Sequence, residues 1–310
     1  MRVCYIVGTG RSGSTLLERL LGQMPGVVAV GEIIDIWWRG VVRDERCGCG
    51  TRFHACPFWT EVGERAFGGW EPIRGQALHR VQDRLVRHAH RSWLTGRLGR
   101  RDRAGATRLL DSLARLYDTI ARVSGASVVV DASKRVSYAG LLHHAGLSLR
   151  VVNLVRDPRA VAYSMTRLVP RPHPASEGEI EYMHTRSVPV AALEWVVFNE
   201  LVRVLRAKGL PVLRVRYEDF VTDPPSALTA VLRHAGAPVD EDEVRSLASA
   251  PVDLVPTHGI SGNPMRFRHG AIDLRVDDSW KTAMPRTDRL VATVLTAPLL
   301  RAYGYRSDAA

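Results

Sequence analysis

Residues 3–15 read Val-Cys-Tyr-Ile-Val-Gly-Thr-Gly-Arg-Ser-Gly-Ser-Thr, and the run Leu-Leu-Glu-Arg-Leu-Leu follows at 16–21. This stretch predicts a buried strand, a glycine-rich turn and a helix in immediate succession. Such a turn directs several backbone N–H groups and a helix N-terminus toward one point. The stretch therefore predicts a binding site for a phosphate-like anion.

The turn follows the spacing of a P-loop with one departure. Gly8 and Gly13 are correctly spaced and Thr15 is the expected hydroxyl, but Ser14 occupies the place of the lysine. A loop of this kind can hold an oxyanion without the lysine that reaches the terminal phosphates of ATP. Arg11 supplies a positive charge from inside the loop instead.

A second segment predicts another anion site. Residues 149–155 are typical of a buried strand, and the run Arg-Asp-Pro-Arg at 156–159 then opens a helix that carries Ser164. The serine lies eight residues after Arg156, which is just over two helical turns. Guanidinium and hydroxyl can therefore converge on one anion.

These two motifs resemble the 5'-phosphosulfate loop and the 3'-phosphate motif of the sulfotransferases that use 3'-phosphoadenosine 5'-phosphosulfate (PAPS). The resemblance implies PAPS as co-substrate, the bisphosphate PAP as product, and no required metal. It assigns the 3'-phosphate to Arg156 and Ser164. It assigns the phosphosulfate to the loop residues Arg11, Ser12, Gly13, Ser14 and Thr15.

The resemblance also implies a general base. Glu32 follows a short hydrophobic run just after the first helix, in Val-Gly-Glu at 30–32. Sulfotransferases resembling the tyrosylprotein and Golgi carbohydrate groups place a glutamate after this helix, where it takes the proton of the acceptor. The alternative interpretation is a surface carboxylate in a loop.

Lys134, in Asp-Ala-Ser-Lys at 131–134, resembles the family's lysine that contacts the bridging oxygen between sulfate and phosphate. Lysine occurs only at positions 134, 208 and 281 of this arginine-rich chain. Arg11 and Lys134 are therefore expected to stabilise the leaving bisphosphate. The alternative makes Lys134 a solvated cation at a helix start and Asp131 a magnesium-binding acid.

Two later segments complete the resemblance. Tyr217, in Arg-Tyr-Glu-Asp-Phe at 216–220, matches a strand end from which the family's tyrosine reaches the adenine, although packing is an equal alternative. The family also closes a late basic loop over the nucleotide. The matching candidates here are Ser261, Arg266 and Arg268, with a plain surface loop as the alternative.

Strands alternate with helices along the chain, which predicts an α/β fold with a doubly wound, P-loop-like parallel sheet flanked by helices. The predicted strands are 2–7, 127–131, 149–155 and 212–217. The predicted helices are 14–22, 136–145, 159–168, 190–208, 225–235 and 240–248. We expect one domain over 1–310 with the ligand at the carboxyl ends of the strands.

Two stretches fit the alternation poorly, at 33–125 and 169–189. Long irregular insertions in a compact domain are usually functional, so we expect these helical and loop insertions to form a lid over the acceptor. A partly aromatic mouth of the acceptor pocket is predicted from the proline-rich segment at 169–189 together with Trp37, Trp38, Phe53, Phe58 and Trp59.

Composition narrows the possible partners. The chain has 310 residues, of which 45% are hydrophobic and 24% charged, as in an ordinary globular protein. Its net charge of +11 admits nucleic acid, an anionic membrane or an anionic ligand, but the basic residues are dispersed and no nucleic-acid-binding motif occurs. The first strand starts at once and no apolar run approaches the roughly 18 residues of a membrane span, so a cytoplasmic location is expected. No pattern indicates an oligomeric state.

The cysteines allow three interpretations. Cys47, Cys49, His54 and Cys56 form the pattern C-x-C-x4-H-x-C, which offers four zinc ligands. Common zinc modules space their ligands in two separated pairs, whereas this cluster is compressed into ten residues. Reduced thiols or a local disulfide are therefore favoured over zinc.

The sequence thus predicts transfer of a sulfuryl group from PAPS to a hydroxyl or amine of a small-molecule, glycan or lipid acceptor. One alternative is a P-loop kinase that uses ATP, against which Ser14 argues. The other is a non-catalytic protein that binds a nucleotide or a sulfated ligand.

Overall fold

The computed structural model describes residues 1–95, 103–171, 181–249 and 251–306. Five parallel strands form the central sheet in the order β2-β3-β1-β4-β5. They are β1 (Arg2–Val7), β2 (Val27–Ala29), β3 (Val128–Lys134), β4 (Leu149–Val155) and β5 (Val212–Arg216). This arrangement confirms the predicted α/β fold class.

Helices cover both faces of the sheet. Those predicted from the sequence recur with ends shifted by at most two residues. The helices are α1 (Ser14–Leu21), α2 (Pro57–Phe67), α3 (Gly75–Thr95), α4 (Arg103–Ser124), α5 (Val136–His144), α6 (Pro158–Thr166), α7 (Val188–Ala207), α8 (Tyr217–Thr222), α9 (Pro224–Ala235), α10 (Glu241–Leu247), α11 (Trp280–Ala283) and α12 (Arg286–Ala302).

The sheet separates the core into two layers, and the central strand β1 contributes side chains to both. Successive side chains of a strand point to opposite faces, so Val3, Tyr5 and Val7 join one hydrophobic cluster. Cys4 and Ile6 join the other, which is built with α1 and α9. Both layers are buried because helices cover both faces of the parallel sheet, and the loop after β1 begins at the carboxyl edge of this buried sheet.

The insertion between β2 and β3 mainly extends the core. Trp37, Phe53 and Trp59 are at most 1% exposed and pack together in the first hydrophobic cluster. Trp38 stacks on His79 outside the main cavity of the protein. The predicted aromatic mouth is therefore wrong, because burying these large side chains in the core removes more apolar surface from water than lining an open cleft would.

Several elements were not predicted, among them the helices α2, α8 and α11. The strand β2 and the antiparallel pair β6 (Val252–Leu254) and β7 (Gly270–Ile272) are each three residues long, too short for a periodic signal. Helix α12 carries Pro298 in its interior, which argues against a helix at the level of sequence. Among the described helices, none combines the length and apolar character needed to cross a bilayer.

Candidate active site

The loop between β1 and α1 requires glycine at both predicted positions. A Cβ atom at Gly8 would lie 2.8 Å from the carbonyl oxygen of Leu154. Gly13 has φ of 90°, and a Cβ atom there would lie 2.5 Å from the ring of Tyr217. At these two positions the loop therefore passes so close to its neighbours that a side chain would not fit, and both glycines line a cavity.

This cavity has a volume of about 900 Å³ and opens at the carboxyl ends of the strands. It brings together most of the predicted site residues. Those that line it are Arg11, Gly13, Ser14, Thr15, Glu32, Lys134, Arg156, Ser164 and Tyr217. Ser12 belongs to the same loop, but it is fully buried and does not line the cavity.

Glu32 and Lys134 meet at the floor of the cavity. The Lys134 ammonium donates a hydrogen bond to Glu32 Oε1, and the two side chains are 19% and 17% exposed. Lys134 adopts φ of 66°, a left-handed conformation that is uncommon for a residue with a side chain. Such backbone strain concentrates at functional sites, where the surrounding structure holds it in place.

The backbone beside Glu32 is fixed from two sides. Glu32 N donates to the carbonyl of Ile260 at 2.7 Å, and Ile260 N donates to Val30 at 2.9 Å. Gly31 has φ of 77°, and a Cβ atom there would lie 2.4 Å from Ile260 N. The segment that presents Glu32 is therefore locked to the segment around residue 260.

Glu18 is a positioning residue that the sequence did not single out. It lies on α1, is only 3% exposed, and accepts a hydrogen bond from Gly31 N at 2.6 Å. Burial raises the pKa of the Glu18 carboxyl to about 8. The signal for it was a charged residue inside an apolar helix that follows directly on the glycine-rich loop.

We expect this buried carboxyl to make stability depend on pH. In the unfolded chain Glu18 ionises near its ordinary pKa of about 4.3, whereas in the folded protein it holds its proton to about 8. The stabilisation is complete below the unfolded value and is lost as pH rises toward 8. Glu18→Gln keeps an acceptor for Gly31 N but cannot ionise, so its stability relative to wild type should rise by a few kcal/mol across this range. Urea unfolding at pH 5 and pH 8 measures the difference, and equal pH slopes for both proteins would contradict it.

Arg156 directly follows β4, and its guanidinium contacts several neighbouring groups. Its Nη1 donates to the Arg11 carbonyl at 3.0 Å, and its Nη2 lies 3.2 Å from the Asp277 carboxylate. The guanidinium also lies over the Tyr217 ring, 4.7 Å from its centroid. The predicted pair of Arg156 and Ser164 therefore faces one cavity, with Tyr217 as a packing partner of the arginine.

Three atoms around the loop are buried without a hydrogen-bond partner in the described part of the chain. They are Arg11 Nη2, Ser12 Oγ and Arg156 Nε. Unsatisfied buried polar groups are costly, and two of these belong to cations. Burial, followed by the like charge of Arg167, lowers the pKa of the Arg11 guanidinium. These unpaired donors and the two positive charges suit the binding of an anion in the cavity.

The residues of the loop between β6 and β7 that were predicted to contact the nucleotide bind other parts of the protein instead. Ser261 Oγ donates to Asp35 Oδ2 at 2.5 Å, and the buried Arg266 donates to the carbonyl of Arg46 at 3.1 Å. Both line a separate small cavity, and Arg268 lines neither cavity. The residues of this loop that line the main cavity are Gly262, Asn263 and Met265. Contacts from Ser261, Arg266 and Arg268 to a donor stay a prediction that this geometry does not favour.

Asp131 accepts hydrogen bonds from neighbouring residues of the protein. It is fully buried in the middle of β3, and it accepts hydrogen bonds from Tyr117 and from the backbone and hydroxyl of Ser133. Ser133 in turn accepts a hydrogen bond from Ile34 N at 2.9 Å. The carboxylate thus orients the chain on both sides of Glu32 and Lys134.

The cysteine pattern needs one correction. His54, which the sequence groups with the cysteines, directs its ring toward the carbonyl of Val41 at 3.1 Å. His258, from the distant loop after β6, takes its place beside Cys47 and Cys56. None of the four cysteines of the chain forms a disulfide.

A five-stranded parallel sheet with a glycine-rich, lysine-free loop between its central strand and first helix defines a P-loop-like α/β protein. Residues 4–241 match the family model described as Sulfotransferase family. The chain therefore belongs to the sulfotransferase family, which confirms the resemblance noted from its motifs.

Two solved structures share the fold over nearly the whole chain. The sulfotransferase domain from the Synechococcus PCC 7002 olefin synthase is 20% identical, with a TM-score of 0.51 and coverage of 96% of this chain and 94% of that one. The sulfotransferase domain from the curacin biosynthetic pathway is 14% identical, with a TM-score of 0.52 and 99% coverage of both chains. At such identities the likeness concerns the fold alone. Comparison with curated protein sequences gives no match.

Proposed function

We propose that this sulfotransferase moves a sulfuryl group from PAPS to a hydroxyl or amine, with Glu32 as general base. The observation that carries the proposal is the contact between Glu32 and Lys134 beside the anion-binding loop in one cavity. Arg156 and Ser164 face the same cavity, where they suit the 3'-phosphate of the donor.

The reaction follows from these positions. Glu32 takes the proton of the acceptor while the acceptor oxygen or nitrogen attacks sulfur, and the bond between sulfur and the bridging oxygen breaks. The electron pair of that bond stays on the departing bisphosphate, whose growing charge the Lys134 ammonium and Arg11 guanidinium stabilise. Lys134 leaves its contact with Glu32 to do so, which frees the carboxylate to accept the proton.

The geometry weighs against the kinase alternative. Ser14, in the place of the P-loop lysine, is 2% exposed, and no lysine of the loop reaches a terminal phosphate. Asp131, the acid that would bind magnesium, has its oxygens engaged by Tyr117 and Ser133. A non-catalytic binding protein would have no need for a carboxylate and an ammonium held together at the floor of the cavity.

Donor preference tests this proposal directly. PAP at 100 times its dissociation constant should stabilise the fold by roughly 2.7 kcal/mol and raise the melting temperature by several degrees. ATP with magnesium should do much less, because the loop lacks the lysine for a γ-phosphate. Thermal unfolding with each nucleotide measures this. If ATP with magnesium stabilised strongly and PAP did nothing, the kinase alternative would replace the proposal.

One wall of the cavity favours an acceptor with an apolar body. Val190, Leu193, Val197 and Leu201 recur on α7 at helical spacing and line the cavity. The first three are 44%, 50% and 57% exposed, although the opposite side of the same helix already packs in the core. An apolar stripe left open beside a candidate base suits an acceptor that carries its hydroxyl or amine on an alkyl or aromatic body.

Leu193→Gln is expected to raise KM for an acceptor with an apolar body on the order of tenfold, because it removes apolar contact area. The affinity for PAP should not change, since Leu193 is not among the residues expected to contact the donor. Steady-state kinetics with acceptors of increasing alkyl length measures the effect. Leu290→Gln is the matched control, at a leucine that is 63% exposed on α12 and does not line the cavity. An equal change in both variants would count against the apolar wall.

The remaining expectations extend the same proposal. We take 1–310 to act as one sulfotransferase domain in the cytoplasm. The 169–189 insertion is suited to an acceptor lid, since Arg171, Met183, His184 and Arg186 line the cavity. Residues 172–180 of that insertion and 96–102 of the other lie outside the described residues.

A further inference from the structure

Three cysteines and one histidine converge on a single point away from the cavity. Cys56 Sγ lies 3.7 Å from both Cys47 Sγ and Cys49 Sγ. His258 Nδ1 lies 3.3 Å from Cys56 Sγ and 3.8 Å from Cys47 Sγ. All four of these ligand atoms lie within 4.8 Å of one another.

Four of the six separations are close to the edges of a tetrahedron around a metal ion, and the other two are at most 4.8 Å. Zinc bonds of about 2.3 Å to sulfur and 2.0–2.1 Å to nitrogen give sulfur–sulfur edges of about 3.8 Å and sulfur–nitrogen edges of about 3.5 Å. A disulfide needs its sulfurs at about 2.05 Å and joins only two of three thiols. Here two sulfur–sulfur separations are equal, and an imidazole nitrogen completes the set.

The three cysteines of this cluster are close together in the sequence, whereas His258 comes from a distant part of the chain. Cys47 begins a tight turn that contains Cys49, in which Gly50 N donates to the Cys47 carbonyl and Gly50 adopts φ of 92°. Cys56 immediately precedes the first residue of α2. His258 stacks on Phe58 at 4.7 Å between ring centroids, which orients its imidazole toward the sulfurs.

We propose that Cys47, Cys49, Cys56 and His258 bind one structural zinc ion. Four soft or borderline protein ligands in tetrahedral positions favour zinc and leave no coordination position for a substrate. Cys47 and Cys56 are buried, so bound metal is shielded from solvent on that side. The metal binds as the thiols release their protons, with no oxidation or reduction.

The metal would join two parts of the chain that lie about 200 residues apart, the cysteine turn and the loop after β6. That loop continues directly into Ile260, whose backbone pairs with Val30 and Glu32. Gly48 N also donates to the Gly259 carbonyl at 3.0 Å, beside the metal ligands. Zinc thus holds the segment that positions Glu32. This consequence rests on the proposed function, whereas the metal site itself does not.

Metal analysis of the purified full chain tests the site. Elemental analysis should find about one zinc ion per chain, which is lost in His258→Ala and kept in the matched control His54→Ala. Replacement by Co²⁺ should give the visible and thiolate charge-transfer bands of tetrahedral cobalt. The thiols of the cluster should resist a thiol reagent until a chelator is added, and chelation should lower the melting temperature.

Several outcomes would overturn the site. They are a chain without metal whose cysteines react freely, a disulfide within the cluster, zinc retained in His258→Ala but lost in His54→Ala, or iron in place of zinc. If His258→Ala does not fold, Cys49→Ser at the more exposed thiol takes its place and should likewise lose zinc. Metal content and cobalt spectra do not depend on sulfuryl transfer, so failure of the proposed reaction would leave this test intact.

Discussion

Glu32→Gln is expected to lower turnover on an aliphatic alcohol by about 10²- to 10⁴-fold, the usual worth of a general base. Glutamine keeps the shape of the side chain and an oxygen that can accept from Lys134, but it cannot take a proton. Affinity for PAP should stay within about threefold, because the loop and Arg156 are unchanged. The melting temperature should also be nearly unchanged, since the ion pair of Glu32 and Lys134 is partly solvated.

The cavity offers one matched control for this variant. Among the described residues, Glu194 is the only other carboxylate that lines it, and it is paired with Arg186 at 3.1 Å. Glu194→Gln should therefore leave turnover nearly unchanged. With a phenolic acceptor of low pKa, the loss in Glu32→Gln should shrink, because a partly ionised acceptor needs less help from a base. Near wild-type turnover of Glu32→Gln on an alcohol, together with a large loss in Glu194→Gln, would move the role of base to Glu194.

Arg156→Ala is expected to weaken PAP binding by on the order of 2 to 3 kcal/mol, roughly 30- to 150-fold, as for loss of a charge-assisted contact to a phosphate. Adenosine 5'-phosphosulfate lacks the 3'-phosphate, so its affinity should barely change. Calorimetric titration of both nucleotides measures the difference. An equal loss for the two would show that Arg156 acts on the loop through its bond to the Arg11 carbonyl.

The ion pair with Asp277 provides the control for this variant. The Asp277 carboxylate is 48% exposed and lies 3.2 Å from Arg156 Nη2, where it competes with an incoming phosphate. Asp277→Asn removes this competition while keeping the backbone contact of Asp277 to the arginine. PAP binding in Asp277→Asn should be unchanged or tighter. Weakening as large as in Arg156→Ala would mean that the segment around Asp277 must be held in place for binding.

Sequence was sufficient where the determining interactions are local. The strand, turn and helix of residues 2–21 are contiguous, and each follows from spacing, apolar pattern or glycine placement within a few residues. The same holds for Arg156, which directly follows β4, and Ser164 on the adjoining helix α6, since both line the same cavity. Family motifs then pointed to Glu32 and Lys134, and the structure brings these two side chains into contact.

Sequence was insufficient where elements are short or where burial decides. The three-residue strands carry no period, and the aromatic residues around 53 can equally line a cleft or fill a core. The apolar pattern of α1 marks Glu18 as an unusual residue but does not identify Gly31 as its partner, because that contact depends on how α1 packs beside β2. The cost of burying its carboxyl exists only in the folded protein.

Local patterns in the sequence thus predict the α/β class and the anion-binding loop and contain the family motifs, because each of these is encoded within a short window. Contacts between residues that are distant along the chain follow only from the folded structure. Glu32 contacts Lys134, which lies 102 residues further along the chain. Cys56 contacts His258, 202 residues further along, and not the nearby His54. Such contacts form when packing of the two core layers repays the entropy of closing long loops, a balance that no local pattern records.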